Sequence, residues 1–72
     1  MININNIDDV FSYHSPNESQ IEKLQKVRES AKLFAQAILD LTPGCVDQQT
    51  ALYKVREAMM FANASIVLHG EV

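Results

Sequence analysis

The side chains of this sequence that could carry out chemistry are few and scattered. Cys45 stands in a predicted turn with no base near it in sequence, and Ser15 suits a helix cap better than a nucleophile. His14 and His69 fall at the outer ends of two predicted helices, but two imidazoles without carboxylates at matching spacing are a weak metal signal. No glycine-rich phosphate loop is present. We therefore predict no catalytic residue, no metal and no cofactor.

One cation interrupts an apolar pattern in the first predicted helix. Apolar residues recur there at helical spacing, and Arg28 stands within that stripe. Arg28 could extend along the surface or pair with Glu29 or Glu57. It could also be held at a helix face to meet a phosphate. Lys32 lies one turn further on the same side and Lys26 flanks Arg28, and position alone leaves both interpretations open.

Two aromatic residues, Phe11 and Tyr13, come just before the first helix. They could form a hydrophobic staple that fixes the entry of the chain into the helix. They could also form a stacking platform for a planar ligand. The local sequence favours the staple.

These groups must be positioned by two long helices and an arm. Ser15 suits an N-cap, Pro16 a first helical residue, and Glu18 the partner of a capping box. These features predict a helix over residues 16–41, preceded by an arm over residues 1–14.

A single break separates that helix from the next. Pro43 cannot easily continue a helix, and Gly44 permits a left-handed turn. Asp47 is a suitable cap for a second helix over residues 47–69. The prediction is an all-α protein, a single antiparallel two-helix hairpin domain over residues 1–72.

The second helix carries apolar residues on more than one side, and one partner helix cannot cover two stripes. Because so short a chain has few neighbours to offer, we expect other copies to cover the rest, giving a homo-oligomer. The first stripe is Leu52, Val55, Met59, Ala62, Ile66 and His69, and the second is Tyr53, Met60, Ala64 and Val67.

Composition narrows the classes of partner and compartment. The formal net charge of −3 argues against polymeric nucleic acid, although a small anion needs only a few basic groups. The lone Cys45 permits no intramolecular disulfide. No apolar run is long enough for a membrane span, and the polar N-terminus is unlike a signal peptide. We expect a cytoplasmic protein with no membrane partner.

Several motifs together resemble one family of small helical-hairpin proteins. Over about residues 11–69 the chain resembles the phage anti-CBASS cyclic-nucleotide sponges. The motifs are Tyr13-His14-x-Pro16, Val27-Arg28-Glu29 with Lys32, Leu41-x-Pro43, Ala51-Leu52 with Lys54, and Glu57-Ala58-x-Met60-x-Ala62-Asn63-Ala64-x-Ile66.

The resemblance implies a binding protein rather than an enzyme. Such sponges sequester cyclic oligonucleotide messengers of host antiviral signalling without cleaving them, as homo-oligomers that are hexamers where known. By position, the resemblance implies that Tyr13 stacks on a base of a cyclic dinucleotide and Arg28 contacts a phosphate. Lys26 and Lys32 are alternatives for the basic residue, and His14 could add a donor. If the protein is phage-encoded, it would act in the host cytoplasm.

One departure from the family concerns cyclic trinucleotides. Some relatives bind them at a second site lined by basic residues, and this chain has Val46 and Leu68 where we expect those residues. Cyclic dinucleotides are therefore the firmer expectation, with cyclic trinucleotides as a further possibility. The alternative function needs no nucleotide: a structural hairpin that assembles with itself or docks on a host protein through the same stripes.

Overall fold

The computed structural model describes residues 1–70, which contain helices and no strand. The predicted all-α hairpin with a short N-terminal arm is confirmed. The two long helices pack against each other and run in opposite directions. The helices are α1 (Ile7–Val10), α2 (Glu18–Leu41) and α3 (Val46–Val67).

Helix α2 begins two residues later than the sequence predicts. Asn17, not Ser15, is the N-cap: its side-chain Oδ1 accepts a hydrogen bond from the Gln20 backbone N–H at 2.9 Å. The Gln20 Oε1 accepts from the Asn17 N–H at 3.0 Å, which completes a capping box. Ser15 with Glu18 and Asn17 with Gln20 both have the capping-box spacing, so the sequence offered two starts. Pro16 lies before the cap.

The start of the second long helix, after the hairpin turn, also differs from the prediction. Thr42 is extended (φ −122°, ψ 150°), as expected of a residue that precedes a proline. Helix α3 then begins at Val46 with Cys45 as its N-cap, whose Sγ lies 3.5 Å from the Gln48 N–H nitrogen. The predicted cap, Asp47, is instead in the first turn of the helix, where its carboxylate favours the positive end of the helix dipole.

Helix α3 ends at Val67 and not at residue 69. The Gly70 N–H bonds to the Ser65 carbonyl at 2.9 Å, and the His69 N–H bonds to the Ile66 carbonyl at 3.3 Å. These two bonds form a Schellman cap. It places His69 at the left-handed position (φ 53°), which glycine usually occupies. His69 therefore belongs to the cap and not to the apolar stripe.

The face between the long helices carries half-buried side chains and almost no buried ones. Among the described residues, Leu68 is the one hydrophobic side chain in the buried class, at 8% exposure. The apolar residues of the facing stripes are only half-buried: Leu24, Val27, Ala31, Ala35 and Ile38 from α2, and Leu52, Val55, Met59, Ala62 and Ile66 from α3.

The shape of the molecule explains this shallow core. The described chain measures 47 × 27 × 15 Å, so it is a single layer of helices. Its radius of gyration is 15.1 Å, against about 11 Å for a compact domain of this length. Much of the second apolar stripe remains uncovered, with Tyr53 at 64% and Met60 at 57% exposure. One copy of the chain cannot bury its own apolar surface.

A buried glutamine fastens each end of the hairpin. At the open end, the Gln20 Nε2 donates to the Ile66 carbonyl at 3.2 Å, joining the start of α2 to the end of α3. At the turn, the Gln48 Nε2 donates to the Thr42 carbonyl at 3.1 Å. The Ile66 carbonyl lies in the last turn of α3, and the Thr42 carbonyl directly follows α2. At these positions a carbonyl has no N–H donor within its own helix.

Replacing Gln20 with alanine should destabilise the hairpin, because it removes both the capping-box partner and the donor to Ile66. We expect a loss of about 1–3 kcal/mol in the free energy of unfolding, measured by urea denaturation. Gln25→Ala is the matched control, since Gln25 is exposed on the same helix and should change stability by less than about 0.5 kcal/mol. Equal losses in the two variants would contradict this account.

Candidate functional site

Two of the predicted cations share one exposed side of α2. Arg28 and Lys32 are one helical turn apart and both are exposed. The ion pairs within residues 1–70 are His14 with Asp9 at 3.7 Å and Lys54 with Glu57 at 3.9 Å, and neither involves these two cations. The suggested pairing of Arg28 with Glu29 or Glu57 is therefore not found, and its guanidinium is available to a ligand.

The interhelical stripe of α2 passes through Val27 and not through Arg28. Val27 is half-buried, whereas Arg28 is exposed. Each residue of a helix turns by about 100°, so Arg28 lies on the flank beside the stripe and Lys26 lies roughly 160° around the helix from Arg28. The structure thus groups Arg28 with Lys32 and separates both from Lys26.

A second basic residue and a buried amide lie on the same flank of the hairpin as Arg28. Arg56 and Asn63 are seven residues apart on α3, so they share one side of that helix. The Oδ1 of Asn63 is buried and accepts no hydrogen bond from the described residues. Because buried polar atoms are almost always paired, this acceptor is suited to a donor from outside the chain. Arg56 was not selected from the sequence, and its seven-residue spacing from Asn63 was the available signal.

The offset between Asn63 and Arg28 along the helix axes follows from the register of the two helices. Gln20 lies beside Ile66, so Asn63 lies level with a position three residues into the hairpin from Gln20. Arg28 is five residues further along, or about 7.5 Å along the helix axis at the rise of an α-helix. The orphan acceptor and the free guanidinium therefore occupy neighbouring parts of one surface.

The aromatic residues before α2 do not form a staple. Tyr13 is 90% exposed and Phe11 is 76% exposed, so neither ring is covered by the chain. The residue directly before the N-cap is Pro16, which leaves the two aromatics outside the position that a staple requires. The favoured interpretation was wrong, and an uncovered Tyr13 ring agrees with the alternative of a stacking surface.

His14 forms a hydrogen bond within the N-terminal arm. Its Nε2 lies 2.6 Å from the Asp9 carbonyl oxygen, to which it donates if that nitrogen carries the proton. The Ser12 hydroxyl also donates to the Asp8 carbonyl. These bonds curl the segment between α1 and α2, so the first role of His14 is to shape the arm that carries Tyr13.

Tyr13 and Arg28 belong to different parts of the chain. Arg28 lies ten residues beyond the first residue of α2, about 15 Å along the helix axis. Tyr13 lies in the segment before that helix. The two groups are therefore carried by different elements, the arm and the middle of α2.

Other kinds of site find no support in the described residues. No three histidine, cysteine, aspartate or glutamate side chains within residues 1–70 are grouped so that they could hold a metal ion. The Nε2 of His69 lies 3.4 Å from the Nε2 of Gln20, at the open end of the hairpin. None of the helices in that part of the chain is long and apolar enough to cross a membrane.

The fold and this surface define a small helical-hairpin binding domain, with free cations on one flank and an uncovered aromatic ring on its arm. The family model that matches is the Acb2/Tad1 hairpin domain, over residues 3–67. The chain belongs to this family of anti-CBASS cyclic-nucleotide sponges. No curated protein and no solved structure matches the chain.

Replacing His14 with alanine should loosen the arm without weakening the hairpin. The variant loses the bond to Asp9, while the interhelical face and the Gln20 bond are unchanged. We expect faster chymotrypsin cleavage after Phe11 and Tyr13, measured by mass spectrometry, with the midpoint of hairpin unfolding unchanged. His69→Ala serves as the control, since His69 lies outside the arm. Equal cleavage rates in the two variants would show that His14 does not hold the arm.

Proposed function

We propose that this protein binds and sequesters a cyclic oligonucleotide messenger, most favourably a cyclic dinucleotide such as cGAMP, and so blocks CBASS signalling. Family membership supports this class of function. The observation that carries the ligand assignment is the pair Arg28 and Lys32, exposed on one side of α2 without an anionic partner.

The cations on α2 and the aromatic ring on the arm both suit such a ligand. The Arg28 guanidinium can grip a phosphate through two parallel N–H donors, and Lys32 adds a second positive charge one turn away. The exposed Tyr13 ring can stack on a base, a contact worth about 1–3 kcal/mol. His14 positions this ring through the arm and, once displaced from Asp9, could donate to the ligand. Lys26 remains an alternative cation on the other side of α2.

A site shared between copies reconciles the separation of these groups. Tyr13 and Arg28 lie on different parts of one chain, so Tyr13 of one copy would act with Arg28 of another. A cyclic dinucleotide has two bases and two phosphates, and a two-fold interface supplies each group twice. The unpaired Asn63 acceptor lies on the same flank as Arg28 and could take a donor from a base.

The protein should act by sequestration and not by cleavage. Family membership supports sequestration, and Cys45 lies at the far, turn end of the hairpin. Cyclic trinucleotides remain secondary ligands of the proposal. Val46 and Leu68 supply no charge at the positions expected to be basic, and Leu68 is buried.

The proposed assembly is a homo-oligomer built through α3, with a hexamer as its expected form. The outer side of α2 is acidic and exposed: it carries, at helical spacing, Glu18, Glu22, Glu29 and Asp40. The outer side of α3 is apolar, with Tyr53 and Met60 exposed. This contrast favours α2 facing solvent and α3 facing other copies.

Titration with a purine cyclic dinucleotide should raise the melting temperature, because a ligand that binds only the folded state stabilises it. At a free concentration a hundredfold above Kd, the gain is about 2.7 kcal/mol, or on the order of 10 °C. Ligand released by denaturation should have its original mass. No shift with any cyclic di- or trinucleotide, together with an intact oligomer, would favour the purely structural hairpin, and a shortened ligand would indicate an enzyme.

Substitutions at the two proposed contacts should weaken binding while the oligomer persists. Tyr13→Ala should raise Kd by about 5- to 150-fold and Tyr13→Phe by much less, because phenylalanine keeps the stacking ring. Arg28→Ala should cost a similar factor, and Arg28→Lys an intermediate one, since lysine cannot grip a phosphate with two parallel donors. Calorimetry measures both series.

The matched control for Arg28→Ala is Lys23→Ala, which removes one positive charge from the same helix near the open end of the hairpin. The affinity of the Lys23→Ala variant for the cyclic dinucleotide should stay within about twofold of that of the natural chain. If Lys23→Ala weakens binding as much as Arg28→Ala, the effect comes from general charge and the assignment of Arg28 is wrong.

A charge placed on the outer side of α3 should break the assembly. Met60→Glu should lower the mass in light scattering, because a carboxylate would be buried without a partner. Leu33→Glu is the matched control: Leu33 is 68% exposed on the outer part of α2, which should face solvent. Loss of mass in the Leu33 variant alone would place the interface on α2 instead.

A further inference from the structure

An arginine of α3, Arg56, occupies the position on its helix that Arg28 occupies on α2. Val27 and Val55 are half-buried residues of the facing stripes, and each of the two arginines directly follows one of them. One step along a helix is a turn of about 100°, so each arginine lies beside its stripe, on the same side when viewed along its own helix. Because the helices are antiparallel, these two sides form one flank of the hairpin.

The opposite flank supports this assignment. An apolar groove on that flank is lined from both helices by residues that directly precede stripe residues, namely Ser30, Lys54 and Ala58. Residues that directly follow the stripes therefore share the flank of Arg28. These residues are Lys32 on α2, after Ala31, and Arg56 and Asn63 on α3, after Val55 and Ala62.

Arg56 lies almost level with Lys32 across the hairpin. Arg56 is ten residues before Ile66, and the Gln20 bond to the Ile66 carbonyl places it level with the position ten residues after Gln20, position 30. The same count from the two ends of the groove lining gives position 33. Both positions are within two residues of Lys32, or about 3 Å along the helix axis.

The flank between these positions carries positive charge alone. Within residues 1–70, Arg56 makes no ion pair, and neither does Arg28 or Lys32. Glu57 lies a further step around α3 from Arg56, and its carboxylate pairs with Lys54 at 3.9 Å. Packed helix axes are about 8–10 Å apart, so long side chains from the two helices can meet on one anion. Until an anion is bound, the three cations repel one another.

Asn63 adds an acceptor to the same side of α3. It is seven residues from Arg56, or about 10.5 Å along the helix axis. Its Oδ1 is buried and has no hydrogen-bond partner within the described residues, which points to a donor from outside the chain. A nucleotide carries an anion at one end and the N–H donors of its base at the other. A cation and an acceptor held apart on one helix match those two groups.

We propose that α3 forms a second wall of the nucleotide site, facing the wall that Arg28 and Lys32 form on α2. Arg56 holds a phosphate of the ligand together with these two cations, and Asn63 accepts a hydrogen bond from a base. The inference rests on the proposed function and extends its site across the hairpin. Because the two walls bind different groups, the site favours a nucleotide over a bare phosphate.

Calorimetric titration with cGAMP tests the contact of Arg56. Arg56→Ala should raise Kd by about 10- to 100-fold, since hydrogen bonds to a charged group are lost. The matched control is Lys54→Ala, which removes one positive charge from the same helix on the opposite flank. The Kd of the Lys54→Ala variant should stay within about twofold of that of the natural chain. Equal losses in the two variants would trace the effect to general charge and overturn the proposal.

Measurements on the free protein separate ligand contact from a structural role. Arg56→Ala should keep the mass in light scattering and the melting temperature, because Arg56 has no ion pair to lose and stands near two like charges. A lower mass would place Arg56 between copies and overturn the inference. If Arg28→Ala weakens cGAMP binding and Arg56→Ala does not, the inference fails and the proposed function stands. A natural chain that binds no cyclic nucleotide would overturn both.

Asn63→Leu tests the second contact of the wall. The free protein should lose no stability, because the Oδ1 has no partner to lose, whereas Kd for cGAMP should rise about 5- to 150-fold as a base donor is left unpaired. Gln49→Leu is the matched control, since Gln49 is an exposed amide on the same side of α3 near the hairpin turn. A lower mass with unchanged Kd would assign Asn63 to an interface between copies and overturn the proposed wall.

Discussion

The structure depends on one geometric constraint: two helices side by side make a layer that is only one helix thick. Every side chain between them has an open flank, so the apolar residues of the interhelical face are only half-buried within one chain. Only Leu68 of the described hydrophobic residues falls in the buried class. The polar bonds of Gln20 and Gln48 fix the ends of the hairpin. Apolar burial, the main source of folding free energy, must come from outside the chain.

The chain distributes its charges in a way that suits both assembly and the capture of a small anion. Acidic residues lie along the outer side of α2, while Arg28 and Lys32 lie on one flank. A net charge of −3 disfavours a long polyanion, which needs many phosphate contacts. One or two phosphates respond instead to the nearest cations, because charges beyond about 10 Å are screened by salt. The negative net charge and the local positive charge at Arg28 and Lys32 therefore both favour a small anion over a long polyanion.

The sequence was a good guide to the hairpin and a poor guide to which neighbouring residue fills each role. The break at Pro43 and Gly44 and the second stripe of α3 follow from local chemistry and periodicity, and the structure agrees with both. Ser15 with Glu18 and Asn17 with Gln20 both have the spacing of a capping box. The local sequence does not decide between them, and the structure uses Asn17. Val27 and Arg28 differ by one residue in a stripe that drifts slowly around the helix, so the angle between the helices decides which one faces inward.

The site itself was predictable in its residue types but not in its geometry, and the reason is the same constraint. Tyr13 is an apolar ring without a cover, and Asn63 carries a buried acceptor without a donor. Local sequence can identify both residues, yet it cannot say what completes them, because the missing atoms belong to another molecule. In the proposed complex, a second copy would cover apolar surface, and a nucleotide would bring both a flat face and N–H donors. A chain one layer thick leaves the Tyr13 ring uncovered on the arm and the Asn63 acceptor unpaired on a flank of the hairpin, and the proposed assembly and the proposed ligand would each fill one of these gaps.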